Sequence, residues 1–393
     1  MDAAAVEHRT GSDAIVADRR EPGGATRSTI RVYAAIAATL TAVACLAPRW
    51  FMNPHAPARA PMHNGWLLSG WVRWDSWWYV EIARFGYTYR PHHMSSVAFF
   101  PVYPLLARLV TAVAPVDAAL AAYLVTLASG AGTLVLFRRW CAARLTPRAT
   151  RGAVLVLALY PFAWFLYGAA YSDALYLFLV LSAFLLLEDD RPLAAGIVGA
   201  IATATRPTGI TLVIGLAALV LQRRRGKVRT RDLGVAVSVT GLVAWCAWLA
   251  IRFGNPFAFV ETEGAPGWNQ PPGPHTWFKV RFFQLLGRAP LTVTVPLVLQ
   301  AVACIAFAVL SVAVARRFGT GYGVYVLAVA VIPAVSTSDF LGVGRYLLPA
   351  FPVFALAGAW LAERPVARAL TTLSCGAGLV IGTAMYASGY LIS

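Results

Sequence analysis

The sequence predicts an all-α polytopic membrane protein of about 11 transmembrane helices, with interfacial helices in its first external loop. Three observations carry that prediction. Apolar residues fill 59% of 393 positions and charged residues only 13%, about half the usual soluble fraction. The apolar residues recur in runs of span length, so the bilayer is the solvent for most of the chain. The formal charge of +16 would suit a nucleic-acid binder if the basic residues formed one patch. They lie mostly in short loops between apolar runs, where they set membrane orientation, and this speaks against nucleic acid as a partner.

Residues 1–29 are polar, mixed in charge and without an apolar core. They read as a disordered cytoplasmic tail before a transmembrane domain over 30–393. Candidate spans follow at 30–47, 117–137, 152–170, 171–187, 193–205, 208–221, 233–252, 290–315, 322–338, 346–362 and 369–389. With the N-terminus inside, 138–151, 222–232, 316–321 and 363–368 are all cytoplasmic, and most of the basic residues lie on that side. A single crossing over 193–221 would export Arg223, Arg224 and Arg225. A hairpin broken at Arg206-Pro207 keeps them inside, because proline disfavours helix continuation before it. Counting 97–116 as a span would likewise export Arg138 and Arg139. That segment carries Pro101, Pro104, Arg108 and Pro115, so it reads as interfacial or re-entrant.

Two large external loops result, 48–116 and 254–288. The second contains Pro266, Pro271, Pro272 and Pro274, which predict an ordered but non-helical cover. Only 2 of the 33 basic residues are lysine, beside abundant Ala, Val and Gly. That bias points to a GC-rich bacterial genome, hence to a multi-pass protein of a bacterial plasma membrane. The five cysteines show no metal-type or disulfide-type spacing. Carboxylates and histidines never cluster at ligand spacing, so neither a metal site nor another cofactor can be argued.

The first external loop is chemically the richest. Six of the 13 tryptophans fall in 48–96, and five of the six histidines lie in the two external loops. Aromatic rings collect at bilayer interfaces because the ring is apolar and its edge is wet. Within R-W-D-S-W-W-Y-V-E-I-A-R-F-G-Y (73–87), helical spacing puts Trp74, Trp77, Trp78, Ile82 and Phe85 on one face, against lipid or the bundle. Asp75 stands at the helix start. It is either an N-cap or a general base beside an aromatic floor that holds a sugar. Glu81 is a second carboxylate candidate, or else a partner for Arg84.

The run 73–87, followed by A-F-F-P-V-Y-P-L-L-A-R (98–108), resembles the signature of PIG-V-type mannosyltransferases. Further likeness lies in Y-P-F-A-W-F-L-Y-G-A-A-Y-S-D-A-L-Y (160–176), T-R-P-T-G-I (205–210), F-G-N-P-F-A-F-V (253–260) and G-R-Y-L-L-P-A-F-P (344–352). The resemblance covers about residues 70–360 in order. It implies the GT-C fold of membrane glycosyltransferases, a lipid-linked sugar donor, transfer on the outer face, and a catalytic first-loop carboxylate, which falls on Asp75. Two departures stand out. Trp78 lies near a position where eukaryotic members carry histidine, and Thr88–Val97 lengthens the step between G-Y and A-F-F-P.

The expected reaction moves mannose from a polyprenyl-phosphate donor to a lipid, glycan or protein acceptor, with inversion. Asp75 takes the acceptor proton, and cationic groups meet the departing phosphate. Arg345 and Arg206, at the outer ends of apolar spans, are the candidates for that role, although arginines there also snorkel to headgroups. His92 and His93 are further candidates to orient phosphate or acceptor. Trp74, Trp78, Tyr79 and Glu81 line the substrate. Asp173 either contacts the sugar or caps the helix after it. Glu261, Glu263, Trp268 and His275 of the second loop stand at the acceptor entrance. The rival reading is a lipid-linked-sugar flippase without bond chemistry. Transporters typically show internal repeats and mid-span charges, and neither is evident here.

Overall fold

The computed structural model describes residues 22–54 and 65–390, and among these every regular element is helical. Most of the expected N-terminal tail and part of the first external loop lie outside the described residues. The first helix, α1 (Pro22–Leu46), starts eight residues before the predicted apolar run. Each of the eleven predicted spans overlaps a helix. Five helical stretches are long and apolar enough to cross a bilayer: Gly24–Phe51, Ala118–Ala142, Thr230–Phe253, Val293–Phe318 and Pro365–Ala387. The chain is therefore a multi-pass membrane protein, and helix length alone does not establish eleven crossings. Several other bundle helices have only 12 residues, about 18 Å of rise against a core about 30 Å thick.

The first loop holds the interfacial helix α2 (Ser76–Phe85) and the amphipathic α3 (Val102–Val113). Next come α4 (Ala118–Ala142) and α5 (Pro147–Ala158). Asp117 opens α4, its side chain accepting the Leu120 N–H at 2.7 Å. Thr146 does the same for α5, with proline at the first helical position. Further along are α6 (Asp173–Glu188), α7 (Pro192–Thr203) and α8 (Ile210–Arg223). A 3-10 stretch, Thr230–Val239, leads into α9 (Thr240–Phe253). Short helices α10 (Ala258–Glu263) and α11 (Val280–Leu286) occupy the second external loop. The chain then runs through α12 (Leu291–Phe318), α13 (Thr320–Ser336), the one-turn α14 (Val343–Tyr346), α15 (Phe351–Ala362) and α16 (Pro365–Ala387).

One end of the bundle is basic and laced with ion pairs. Arg139 meets Asp189 at 3.1 Å, Arg224 meets Asp190 and Asp232 at 2.6 and 2.9 Å, and Arg144 meets Glu188. Gln222 reaches across to the Gly321 N–H, tying the end of α8 to the start of α13. Since α6 starts beside Arg206 and ends beside Arg223, α7 and α8 run back and forth between the ends. The predicted break at Arg206-Pro207 is present, as an extended residue followed by a 3-10 turn at Pro207–Gly209.

The opposite, aromatic end departs from the sequence reading in three places. The predicted span 152–170 is helical only to Ala158. Residues 159–172 are irregular apart from a 3-10 turn at Ala163–Leu166, and Ala163 through Tyr171 are buried. Irregular backbone at such depth survives only where protein or a cavity satisfies it. Here the Tyr33 hydroxyl lies 2.7 Å from the Leu166 carbonyl. Gly130 admits that carbonyl because a Cβ there would stand 2.0 Å from it. Secondly, α2 turns Ser76, Tyr79, Val80, Ile82 and Ala83 inward, whereas Phe85 is 71% exposed. The buried face of α2 is thus centred on Ser76, Tyr79 and Ala83, with Trp77 and Trp78 only partly buried. Thirdly, the second external loop contains α10, a turn at Pro274–Trp277 and α11, so it is not the non-helical cover its prolines suggested. Pro274 opens its turn, where its missing N–H costs nothing.

Candidate active site

Three irregular connections meet at the aromatic end. The 159–172 segment delivers Asp173, the break between α7 and α8 delivers Arg206, and the segment before α15 delivers Arg345. Arg206 Nη1 pairs with Asp173 Oδ1 at 2.5 Å, and Arg345 Nε lies 3.9 Å from the same oxygen. All three are buried, at 2%, 7% and 8% exposure. One carboxylate thus faces two guanidinium groups. Asp173 sits in the first turn of α6 but is engaged by Arg206, so its pairing goes beyond capping.

Aromatic faces help to offset the desolvation of these cations. Arg345 lies 5.3, 5.0 and 4.8 Å from the ring centres of Phe165, Tyr171 and Tyr346, and Arg206 lies 5.5 and 5.1 Å from Tyr176 and Tyr346. Arg345 also donates to the Tyr346 hydroxyl at 2.8 Å. The buried Nε of each arginine nevertheless has no hydrogen-bond partner. A buried donor left unpaired costs about 1–3 kcal/mol, and two guanidinium groups beside one carboxylate leave the cluster with an excess positive charge.

Asp75 joins the cluster through Tyr171, whose hydroxyl accepts the Asp75 backbone N–H at 3.0 Å. Asp75 occupies the N-cap position of α2, yet its side chain makes no capping bond. The capping alternative is corrected on that point, and the carboxylate acts electrostatically on Arg345 instead. The turn that presents it is held from the far end of the chain. Tyr386 of α16 lies 3.0 Å from the Ser76 hydroxyl and 3.2 Å from the carbonyls of Trp71 and Arg73. Trp74 adopts φ 54°, a conformation that costs a bulky residue about 1–3 kcal/mol and persists only where the surroundings over-determine it.

The other predicted lining residues divide. Tyr79 is core: its hydroxyl meets Ser172 at 3.1 Å and its ring packs edge-on against Phe99 and Tyr103. Trp78 stacks on Phe99 at 5.9 Å and meets Trp268 of the second external loop at 5.7 Å, so the two loops close on each other. Glu81 is partly exposed and makes no ion pair with Arg84, although that arginine opposes the upward pull of desolvation on its carboxyl group. His92 and His93 are not brought to the arginines. The His92 side chain is 86% exposed and lies 3.5 Å from Glu261, while His93 Nδ1 lies 2.8 Å from the Pro91 carbonyl.

Glu261 is the fastener between the loops. It accepts from Tyr89 at 2.7 Å, Asn255 at 2.8 Å and the His92 N–H at 3.1 Å. The Thr88–Val97 extension therefore docks on α10. Lys279 fastens the same loop to the segment after α13, donating to Thr337 Oγ1 at 3.1 Å, to the Asp339 carbonyl at 3.3 Å and to the Thr337 carbonyl. Burial pulls its ammonium group down to about 8. Sequence reasoning missed this tie; its only trace is one of just two lysines in an arginine-rich chain.

Residues 35–224 match the family model described as Mannosyltransferase (PIG-V). The first-loop resemblance is thereby borne out, and the PIG-V-matched region holds Asp75, Asp173 and Arg206, while Arg345 and the second external loop lie beyond it. Among curated proteins, the GPI alpha-1,6-mannosyltransferase 2 of Rattus norvegicus is 34% identical over 157 residues, covering 37% of this chain and 31% of that protein. Its Mus musculus counterpart is 34% identical over 154 residues, covering 37% and 30%. The chain thus matches about a third of the length of these relatives. Among solved structures, ArnT from Cupriavidus metallidurans is similar with a TM-score of 0.49 at 14% identity, covering 94% of this chain and 77% of that one. An oligosaccharyltransferase of Archaeoglobus fulgidus gives 0.46 at 15%, covering 90% and 55%.

Proposed function

We propose that this chain is a membrane glycosyltransferase of the GT-C class that moves mannose from a polyprenyl-phosphate donor to a lipid, glycan or protein acceptor. The observation that carries the reading is the placement of Asp75, uncapped, beside the buried Asp173–Arg206–Arg345 cluster, inside the PIG-V-matched motif. In the proposed step the acceptor oxygen attacks the anomeric carbon as Asp75 takes its proton. The bond from that carbon to the phosphate oxygen breaks on the opposite face, which inverts configuration. The phosphate leaves with added negative charge.

Arg345 meets that charge, because it lies 3.9 Å from Asp173 where Arg206 lies 2.5 Å, which leaves it the less tightly held cation of the cluster. Arg206 holds Asp173 and thereby positions Arg345. The basic end of the bundle faces the cytoplasm by the positive-inside rule, which puts the site on the outer face. Arginine-rich composition supports a bacterial plasma membrane as the setting.

The test is transfer by purified protein supplied with labelled polyprenyl-phosphate mannose and membrane lipid extract. Asp75→Asn should lower the rate by about 10²–10⁴-fold while the protein keeps a cooperative melting transition. Full activity in that variant overturns the base assignment. Movement of donor across proteoliposomes with no labelled product would instead favour the flippase.

A further inference from the structure

The second external loop contributes a carboxyl group that the first-loop mechanism does not use. Glu263 ends α10, a helix anchored on both sides of it. Upstream, Glu261 binds Tyr89 and the His92 N–H of the first loop. Downstream, Trp268 packs at 5.7 Å on Trp78 and 5.6 Å on Phe99. The Glu263 carbonyl accepts the Gln270 N–H at 2.9 Å, and its neighbours Thr262 and Ala265 are buried. The Glu263 side chain remains partly accessible. Among the described residues its carboxyl group has no hydrogen bond or ion pair, and it acts electrostatically with Asp75 and Arg345.

A carboxyl group serving only the fold would be paired, since burying it without a partner is costly. The loop that carries Glu263 packs through Trp268 on Trp78, one turn of α2 beyond Asp75. We propose that Glu263 is a substrate-facing positioning residue that hydrogen-bonds a hydroxyl of the bound acceptor, giving the second external loop a share in acceptor choice. The proposal rests on the transferase reading above. Burial, then the negative charge of Asp75, pushes the Glu263 carboxyl up to about 7, with Arg345 opposing. With its value at about 7, Glu263 holds a proton through much of the neutral range and offers a donor to an acceptor oxygen, while the base role stays with Asp75.

The experiment measures half-saturating concentrations separately for polyprenyl-phosphate mannose and for membrane lipid extract. Glu263→Leu should raise the value for extract about tenfold, the weight of one such hydrogen bond, and leave the donor value within about twofold. Glu263→Gln keeps an N–H donor and a carbonyl and should recover most of the loss. Unchanged extract dependence in an active Glu263→Leu enzyme overturns the proposal and leaves the transferase reading standing. A rise confined to the donor overturns it too. Absence of product from the wild-type enzyme sinks the transferase reading itself. If Glu263→Leu fails to fold, the smaller Glu263→Ala variant decides.

Discussion

Glu263 should make the protein more stable in acid than at neutral pH, against the usual trend for carboxylates. Its folded-state value is raised from 4.5 to about 7, so the native chain binds the proton more tightly than the unfolded chain does. Stability is then fully present below about 4.5 and is lost as pH rises through about 7. The size is about 1–2 kcal/mol once partial solvent access is allowed for. In detergent, Glu263→Gln should flatten the dependence of melting temperature on pH between 4.5 and 7, and it should melt a few degrees higher than wild type at pH 8. A variant that melts lower at pH 8 would mean that the ionised group has a stabilising partner. Asp75 carries the complementary lesson. Its position at a helix start was legible in the sequence, but the choice between cap and base was not. That choice depends on Tyr171 and Tyr386, which come from distant segments.

At the scale of elements, the sequence announces breaks through backbone chemistry but does not tell how far each one extends. Pro207 marks the interruption between α7 and α8 because proline cannot continue a helix there. Pro161 and Gly168 carry a similar mark within 159–172, yet the alanines, aromatics and leucines around them read as the remainder of a span, since hydropathy does not distinguish a buried irregular segment from a buried helix. The clasp between the external loops is likewise tertiary, and it yields a prediction of its own. Glu261 accepts three hydrogen bonds while remaining 28% exposed. Each such bond contributes about 0.5–1.5 kcal/mol. Glu261→Ala should therefore free the 88–97 segment locally, speeding its limited proteolysis about tenfold or more, while the bundle melts within a few degrees of wild type. Equal protease resistance in the variant would show that Trp268 and Lys279 suffice to close the loops.

At the scale of the whole molecule, charge and aromaticity are sorted to opposite ends, and the proposed chemistry depends on which way that axis points. Arg139, Arg144, Arg223, Arg224 and Arg231 gather at one end, while Asp75, Asp173, Arg206 and Arg345 lie toward the other. Ion pairs with Asp189, Asp190 and Asp232 compensate part of the basic end, but Arg225 and Lys227 stay exposed. Basic residues in short loops resist translocation, so this end should remain in the cytoplasm. In a background with all five cysteines replaced, His93→Cys should react with a membrane-impermeant maleimide in intact cells. Lys227→Cys should react only after permeabilisation. Both positions are exposed, so lack of reaction reports the barrier and not burial. The reverse pattern would place Asp75 toward the cytoplasm and exclude an outward-facing reaction, whatever the variants at Asp75 and Glu263 had done to transfer.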